Sequence, residues 1–163
     1  MRSRTLFALV VGGILFLALA PGTLASGLVS QRQLSGQEQE LLRSINQARA
    51  MHGFRPLRLA TPLQRAARSH ANAMLRTGNF THGDWYRRLR RHGVRGRTVG
   101  ETIAWVAGID GTADAIVQMW LASPPHRATM LRPGFRYVGV GVASGGFGGF
   151  PGASVATADF AGL

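Results

Sequence analysis

Two histidines and one glutamate stand where ordinary packing does not account for them. His82 lies in "NFTHGDW" and His126 in "SPPHR", each in a loop or at a helix start and neither on an apolar stripe. Glu101 lies in "VGETIAW", between a glycine and a β-branched run that reads as buried, and it is one of five acids after residue 60. A buried carboxylate needs a partner, and an imidazole or a cation is the natural one. Two imidazoles and a carboxylate are also a common ligand set for zinc or another divalent cation. A His–Glu–His cluster that only exchanges hydrogen bonds uses the same residues. With no local HExxH spacing, both readings stay open. Pro124 and Pro125 directly precede His126, and their fixed φ predicts a stiff approach that holds its imidazole still.

The other histidines have plainer settings. His52 and His92 fall at expected helix C-termini, where a cation suits the helix dipole. His70 sits on an apolar helix face and is expected to be a hydrogen-bonded core residue. Other catalytic signatures fail. There is no GxSxG elbow, and Ser123 precedes His126 by three residues with no evident orienting acid. "GVGVASGG" has no helix behind it to complete a dinucleotide loop. Glu101 and Asp159 form a conceivable glycosidase-like pair, but nothing in the sequence separates their environments.

The stretch "YRRLRRHGVRGR", residues 86–97, carries Arg87, Arg88, Arg90, Arg91, Arg95 and Arg97 beside Trp85 and Tyr86. It fits adhesion to an anionic envelope polymer or to lipid headgroups. It equally fits a solvated face in a protein whose 19 basic residues are all arginine. That arginine-only usage reads as a GC-rich bacterial codon habit, since selection for phosphate contacts does not eliminate lysine. Sequence-specific nucleic-acid binding is not expected, because no recognised motif is present.

The elements that must carry these residues follow from periodicity. Ser35 and Glu38 form a capping box ahead of a stripe of Leu41, Leu42, Ile45 and Ala48, with Gly53 as the stop. "PLRLA", 56–60, reads as a short extended segment. A second helix is expected from an N-cap Thr61 and N1 Pro62 to Thr77-Gly78, its inward face being Leu63, Ala66, Ala67, His70, Ala71 and Met74. A short helix is expected over Asp84 to His92, a loop plus an extended segment through "GRTVGETIAWVAG", a helix from Asp110 to Ser123, and one more turn from His126 to Leu131. The valines at 138, 140 and 142 and the alternating "ASVATADFA" predict an antiparallel hairpin, joined by a turn-rich "SGGFGGFPG". Helices first and a hairpin last in one core give an α+β fold.

The chain has 163 residues, 45% of them hydrophobic, enough for one domain with a real core. Residues 1–25 read as a signal peptide: Arg2 and Arg4, an apolar run from Leu6 to Ala20, then Pro21-Gly22, with cleavage expected after Ala25. An uncleaved membrane anchor is the alternative, for which the run is short. Losing those two arginines takes the formal charge from +12 to +10. Residues 26–34 form a short polar leader, and residues 35–163 the folded domain. With no cysteine, thiol catalysis and cysteine–zinc sites are excluded, and the domain is disulfide-free.

From about Gly36 to Phe160 the chain resembles the bacterial secreted branch of the CAP superfamily, the SCP-domain proteins. That superfamily includes cysteine-rich secretory, antigen 5 and pathogenesis-related proteins. The resemblance rests on "INQARAMHGFRPLRLATPLQRAARSHANAM", "NFTHGD", "GETIAW", "MWLASPPHRATML" and "FRYVGVGVA", in that order. It implies a three-layer α–β–α sandwich with a small antiparallel sheet between helix layers. It also implies a cleft of two histidines and two acids that in some members holds zinc or another divalent cation. Carried over by motif, the histidines are His82 and His126 and one acid is Glu101. The second acid falls on Ser123, and a usual asparagine after the glutamate is Thr102, both beside the cleft. A metal there has three strong ligands and an open, watery position. The expectation is a secreted or periplasmic, monomeric, non-enzymatic binding module of the bacterial envelope or exterior. Its metal cleft is conditional and its extracellular ligand unnamed. The alternatives are a metal-dependent hydrolase of peptide, ester or cell-wall substrates with Glu101 as base, and a lipid- or sterol-binding module.

Overall fold

A computed structural model describes residues 34–108 and 112–162. The expected signal peptide, and all of the polar leader but Leu34, lie outside the described residues. Helix α1 (Gly36–Met51) starts with the expected capping box: Glu38 N donates to Ser35 Oγ, and Ser35 N donates to the Glu38 carboxylate at 2.9 Å. The same carboxylate accepts Arg68 Nε at 2.7 Å from helix α2 (Thr61–Thr77), so one side chain caps α1 and ties the two helices together. Strand β1 (Arg58–Leu59) lies between them. The N-cap of α2 is Ala60, one residue before the expected Thr61, and it makes no side-chain cap. Proline in the first turn already removes one of the amides that a cap would satisfy.

Helix α3 (Trp85–Arg91) is capped by Asp84, which accepts from Arg87 N at 3.0 Å. Strand β2 (Thr98–Val106) is the expected extended segment. Helix α4 (Ala113–Ala122) begins at a Thr112 cap; Asp110, the expected start, lies outside the described residues. Helix α5 (Pro124–Met130) starts two residues before the turn expected at His126, so the two prolines form its first turn. The first amides of a helix have no intrahelical acceptor, so proline costs nothing there and presets φ.

Strands β3 (Phe135–Phe147) and β4 (Phe150–Gly162) run well beyond the expected hairpin. The connection contracts to Gly148 and Gly149, both at positive φ (58° and 86°), as a tight two-residue turn demands. Ladder bonds need only backbone, and Phe147 is anchored against Trp105 at 5.6 Å between ring centroids, so glycine-rich sequence continues as strand. The sheet order is β1-β3-β4-β2. The expected antiparallel sheet carries one parallel pairing at its edge, β1 with β3.

Strand alternation divides the molecule into three layers. On one face, Val138, Val140, Ala156, Ala158 and Phe160 join the main core with α1 and α4 residues such as Leu41, Ile45, Ile116 and Trp120. On the other face lies α2. A Cβ at Gly139 would sit 2.0 Å from the Leu63 carbonyl carbon, and one at Gly141 2.5 Å from that of Ala67, so helix backbone rests directly on strand backbone. Gln64 completes this seam: its Nε2 donates to Val140 O at 2.5 Å and its Oε1 accepts Val140 N at 2.9 Å, in the place of a neighbouring strand. Fully buried Arg49 donates Nη1 to Met130 O (2.6 Å) and Arg132 O (3.2 Å), fixing the exit from α5. Among the described residues no helix is long and apolar enough to cross a membrane.

Candidate functional site

His82 sits in the loop that links α2 to α3. One residue earlier, Thr81 O accepts from His70 Nε2 at 2.9 Å, so the buried imidazole of α2 holds this loop against the helix. A carbonyl only accepts, which puts the His70 proton on Nε2. His82 Nδ1 meets Glu101 Oε1 of β2 at 2.8 Å, and by the same reasoning Nδ1 is the protonated nitrogen. The other Glu101 oxygen is taken by Arg88 Nη2 of α3, and Arg88 Nη1 donates to His82 O at 3.2 Å. The Glu101 side chain is only 1% exposed, against 44% for His82. The imidazole of His126, from the first turn of α5, stands 6.1 Å from that of His82 between ring centroids, the rings inclined at 41°. A cleft of about 470 Å³ opens beside them, its lining including His82, Trp85, Glu101, Thr129, Arg132 and Phe135.

Burial lowers the pKa of His126, and the nearby His82 lowers it further. His70 is also lowered, by burial first and by the Arg88 charge, with Glu101 opposing. Behind Glu101, at its cross-strand position on β4, lies Asp159. It is fully buried, and neither carboxyl oxygen receives a hydrogen bond from the described residues. Burial, then the Glu101 charge, push its carboxyl well above the ordinary range, while Arg88 pulls the other way. The site is therefore a half-buried imidazole pair in front of a carboxylate clamped by a guanidinium, with a second carboxyl sealed behind.

The sequence matches the CAP family, described as the cysteine-rich secretory protein family, over residues 42–160. The chain belongs to the CAP family. Among curated proteins it is similar to YkwD of Bacillus subtilis, 29% identical over 118 residues, covering 69% of this chain and 45% of that protein. It is also similar to the Bacillus subtilis membrane protein YlbC, 32% identical over 110 residues, or 64% of this chain and 31% of that one. The chain thus spans less than half the length of these relatives. Among solved structures, an extracellular SCP-domain protein from Bacillus anthracis superposes with a TM-score of 0.67 at 27% identity, covering 78% of this chain and 41% of that one. An outer surface protein from Borrelia burgdorferi shares the fold, with a TM-score of 0.63 at 16% identity over 75% of this chain and 89% of that one.

Within this CAP domain the sequence-derived candidates are placed unequally. His82, Glu101 and His126 come together. Ser123 ends α4 and starts α5, and its hydroxyl makes no cap bond. Thr102 is not beside the cleft. Alternation along β2 turns it to the face opposite Glu101, where it is fully buried and its hydroxyl has no hydrogen-bond partner among the described residues. Asp159 does not line the cleft, so it cannot flank a sugar bond together with Glu101. His52 behaves as expected of a helix C-terminus, its Nδ1 lying 2.8 Å from Ala48 O, and His92 is the C-cap of α3.

Arg88 is the residue that sequence reasoning misplaced. Counted with the exposed arginines, it instead points inward at Glu101, with 15% of its side chain exposed. The signal was available: Trp85, Arg88 and Leu89 are spaced i, i+3, i+4 and share one helical face. Among the described residues, no group of three His, Asp or Glu side chains is arranged to hold a metal ion. Glu101 has both oxygens engaged. The donors left for a cation are the second nitrogen of His82 and the imidazole of His126.

Proposed function

We propose that this CAP domain is an exported, non-enzymatic binding module of the bacterial envelope or exterior, and that its cleft takes a divalent cation conditionally through His82 and His126. The observation that carries the reading is the 2.8 Å bond from His82 Nδ1 to Glu101. Metal-ligating histidines characteristically donate their other ring N–H to a carboxylate, which fixes the tautomer and raises ligand basicity. Glu101 thus orients His82 and leaves Nε2 as the ligating atom. Lowering of the His126 pKa by burial favours the neutral imidazole that a metal requires. Two imidazoles, with Ser123 where the resemblance places a second acid, hold a cation weakly, which makes occupancy depend on its concentration. A bound cation supplies Lewis acidity toward an oxygen of the ligand.

Export is supported by the leader-like residues 1–25 and by the likeness to an extracellular SCP-domain protein. Exposed Arg87, Arg91, Arg95 and Arg97 form no ion pair within the described residues, which suits contact with an anionic envelope surface. Calorimetric titration with zinc tests the cleft. The wild type should bind at one site, with His82→Ala and His126→Ala silent and Glu101→Gln weaker by about 10–100-fold. Equal heats from the wild type and His82→Ala would end the metal reading. Chelator-sensitive turnover of peptide, ester or peptidoglycan substrates would replace the binding module with a metal-dependent hydrolase.

A further inference from the structure

Strand β2 is an edge of the sheet, and the histidine cleft opens along it. Its strand partner among the described residues is β4 alone. Which main-chain groups of β2 that partner uses follows from alternation. On β3, Val138 O accepts from Ala60 N at 3.0 Å, and Val140 bonds Gln64 through both its N–H and its C=O. Those two residues therefore face away from β4, and Gly139 and Gly141 pair with Asp159 and Thr157. On β4 this leaves Phe160 and Ala158 to bond Gly100 and Thr102 of β2. The N–H and C=O groups of Val99, Glu101 and Ile103 point outward. Trp120 Nε1 donates to Ile103 O at 2.9 Å on that outer side, as the alternation requires.

Ile103 is thus covered at its carbonyl, but among the described residues nothing hydrogen-bonds the outward main chain of Val99 or Glu101. Glu101 is 7% exposed as a residue and 1% exposed in its side chain, so the part that meets the cleft is backbone. Both residues line the cleft, with His82 and Trp85 on one side and Thr129 of α5 on the other. The floor therefore presents two donors and two acceptors, spaced about 7 Å apart along an edge. Half-buried main-chain groups need partners, and the ligand that matches this spacing is another extended backbone. Arg132 lines the same cleft, its guanidinium over the Phe135 ring at 5.7 Å from the centroid. The Glu101 carboxylate cannot answer that charge, because both its oxygens are engaged. A guanidinium held in this way pairs a carboxylate through two parallel N–H···O bonds. We propose that the cleft captures an extended acidic peptide, which adds to β2 as a strand through Val99 and Glu101 and places a carboxylate on Arg132. This ligand class rests on the binding-module reading above and requires no cation.

An NMR titration of the isotope-labelled full chain, in chelator, with the acetylated and amidated pentapeptide Val-Thr-Val-Thr-Glu tests it. Saturable shifts should centre on the Val99 and Glu101 amides. Successive amides of a bound strand face opposite sides, so two N-methylated analogues should behave differently. Methylation at the first and third residues, or else at the second and fourth, should weaken binding at least about tenfold, and the other pattern should bind like the parent. Arg132→Gln, or glutamine in place of the peptide's glutamate, should cost about tenfold. Val99→Pro deletes one outward N–H at an edge position, where proline leaves the ladder to β4 intact, and should weaken binding to a similar degree. Ala128→Trp, at an exposed position on the α5 wall, should block the cleft without moving the melt. No saturable binding, equal effects of the two methylation patterns, or undiminished binding by an Ala128→Trp protein that melts like the wild type overturns the proposal. Peptide binding beside a silent zinc titration removes the cation and keeps this ligand, and zinc binding without peptide binding does the reverse. Cleavage of the bound peptide, read by mass spectrometry, keeps the ligand class and removes the non-enzymatic reading.

Discussion

Replacing Arg88 by methionine keeps most of the side-chain volume and removes one charge from a buried pair. The stranded partner is Glu101, whose side chain is 1% exposed. Breaking such a pair costs about 3–5 kcal/mol, because the remaining carboxylate has lost both its counter-charge and its water. His82 still donates to Oε1, but its 44% exposed side chain is a weaker substitute for a fixed guanidinium, so the lower end, about 3 kcal/mol, is expected. For a domain of this size that corresponds to a melting-point drop of roughly 10 °C. The decisive measurement is a double-mutant cycle with Glu101→Gln, by urea unfolding followed through tryptophan fluorescence. In the glutamine background no charge is stranded, so Arg88→Met should cost far less, giving a coupling of about 2 kcal/mol or more. Effects that add to within about 0.5 kcal/mol would refute the charge-clamp argument and reduce Arg88 to a packing residue.

Two further outcomes follow from the same geometry. Gly139→Ala places a Cβ 2.0 Å from the Leu63 carbonyl carbon, both of them backbone, so the helix must lift off the sheet. A loss above about 3 kcal/mol is expected in denaturant midpoint, far beyond an ordinary glycine-to-alanine change. Asp159→Asn should stabilise the protein near neutral pH by about 1–3 kcal/mol. The sign comes from the raised pKa of Asp159: the native state binds a proton that the unfolded state has lost. Wild-type stability therefore falls as pH rises from the ordinary carboxyl range, near 3.8, through the raised native value. Melting curves of the two proteins should converge toward pH 4; a constant offset across pH would contradict the assignment.

The helices were legible where the signals were local. Ser35 with Glu38, Pro62 with Gly78, and the apolar stripes of α1 and α2 all act within a turn or two of the chain. His82 and His126 stood out because each lies off a packing stripe, and Glu101 because a carboxylate in a run that reads as buried needs a partner. Arg88 and Asp159 were obscured for opposite reasons. Arg88 looked like one more surface arginine, and only the tertiary position of α3 turns it toward Glu101. Asp159 looked like a polar residue in an alternating strand, whereas β4 is central and covered on both faces. The glycines of "YVGVGVA" carried a second message beyond strand alternation. They mark where a helix backbone arrives, which no property of β3 alone reveals. The hairpin was shortened in sequence reasoning because glycine-rich segments lack side-chain periodicity, though not ladder bonds.

The strand order has a consequence for how the domain comes into being. β4 is the last of the described elements, yet it sits between β3 and β2, and β2 has no other strand partner among the described residues. Until β4 is available, β2 is an unpaired edge and Glu101 lacks its cross-strand neighbour. The sheet closes through contacts distant in sequence, which fold slowly. A chain synthesised from its N-terminus thus stays unable to complete its core until β4 has emerged. That delay suits a protein proposed to be passed unfolded through an export channel. Glu101, and with it the imidazole–carboxylate–guanidinium cluster, is likewise fixed in the sheet only once β4 has paired with β2.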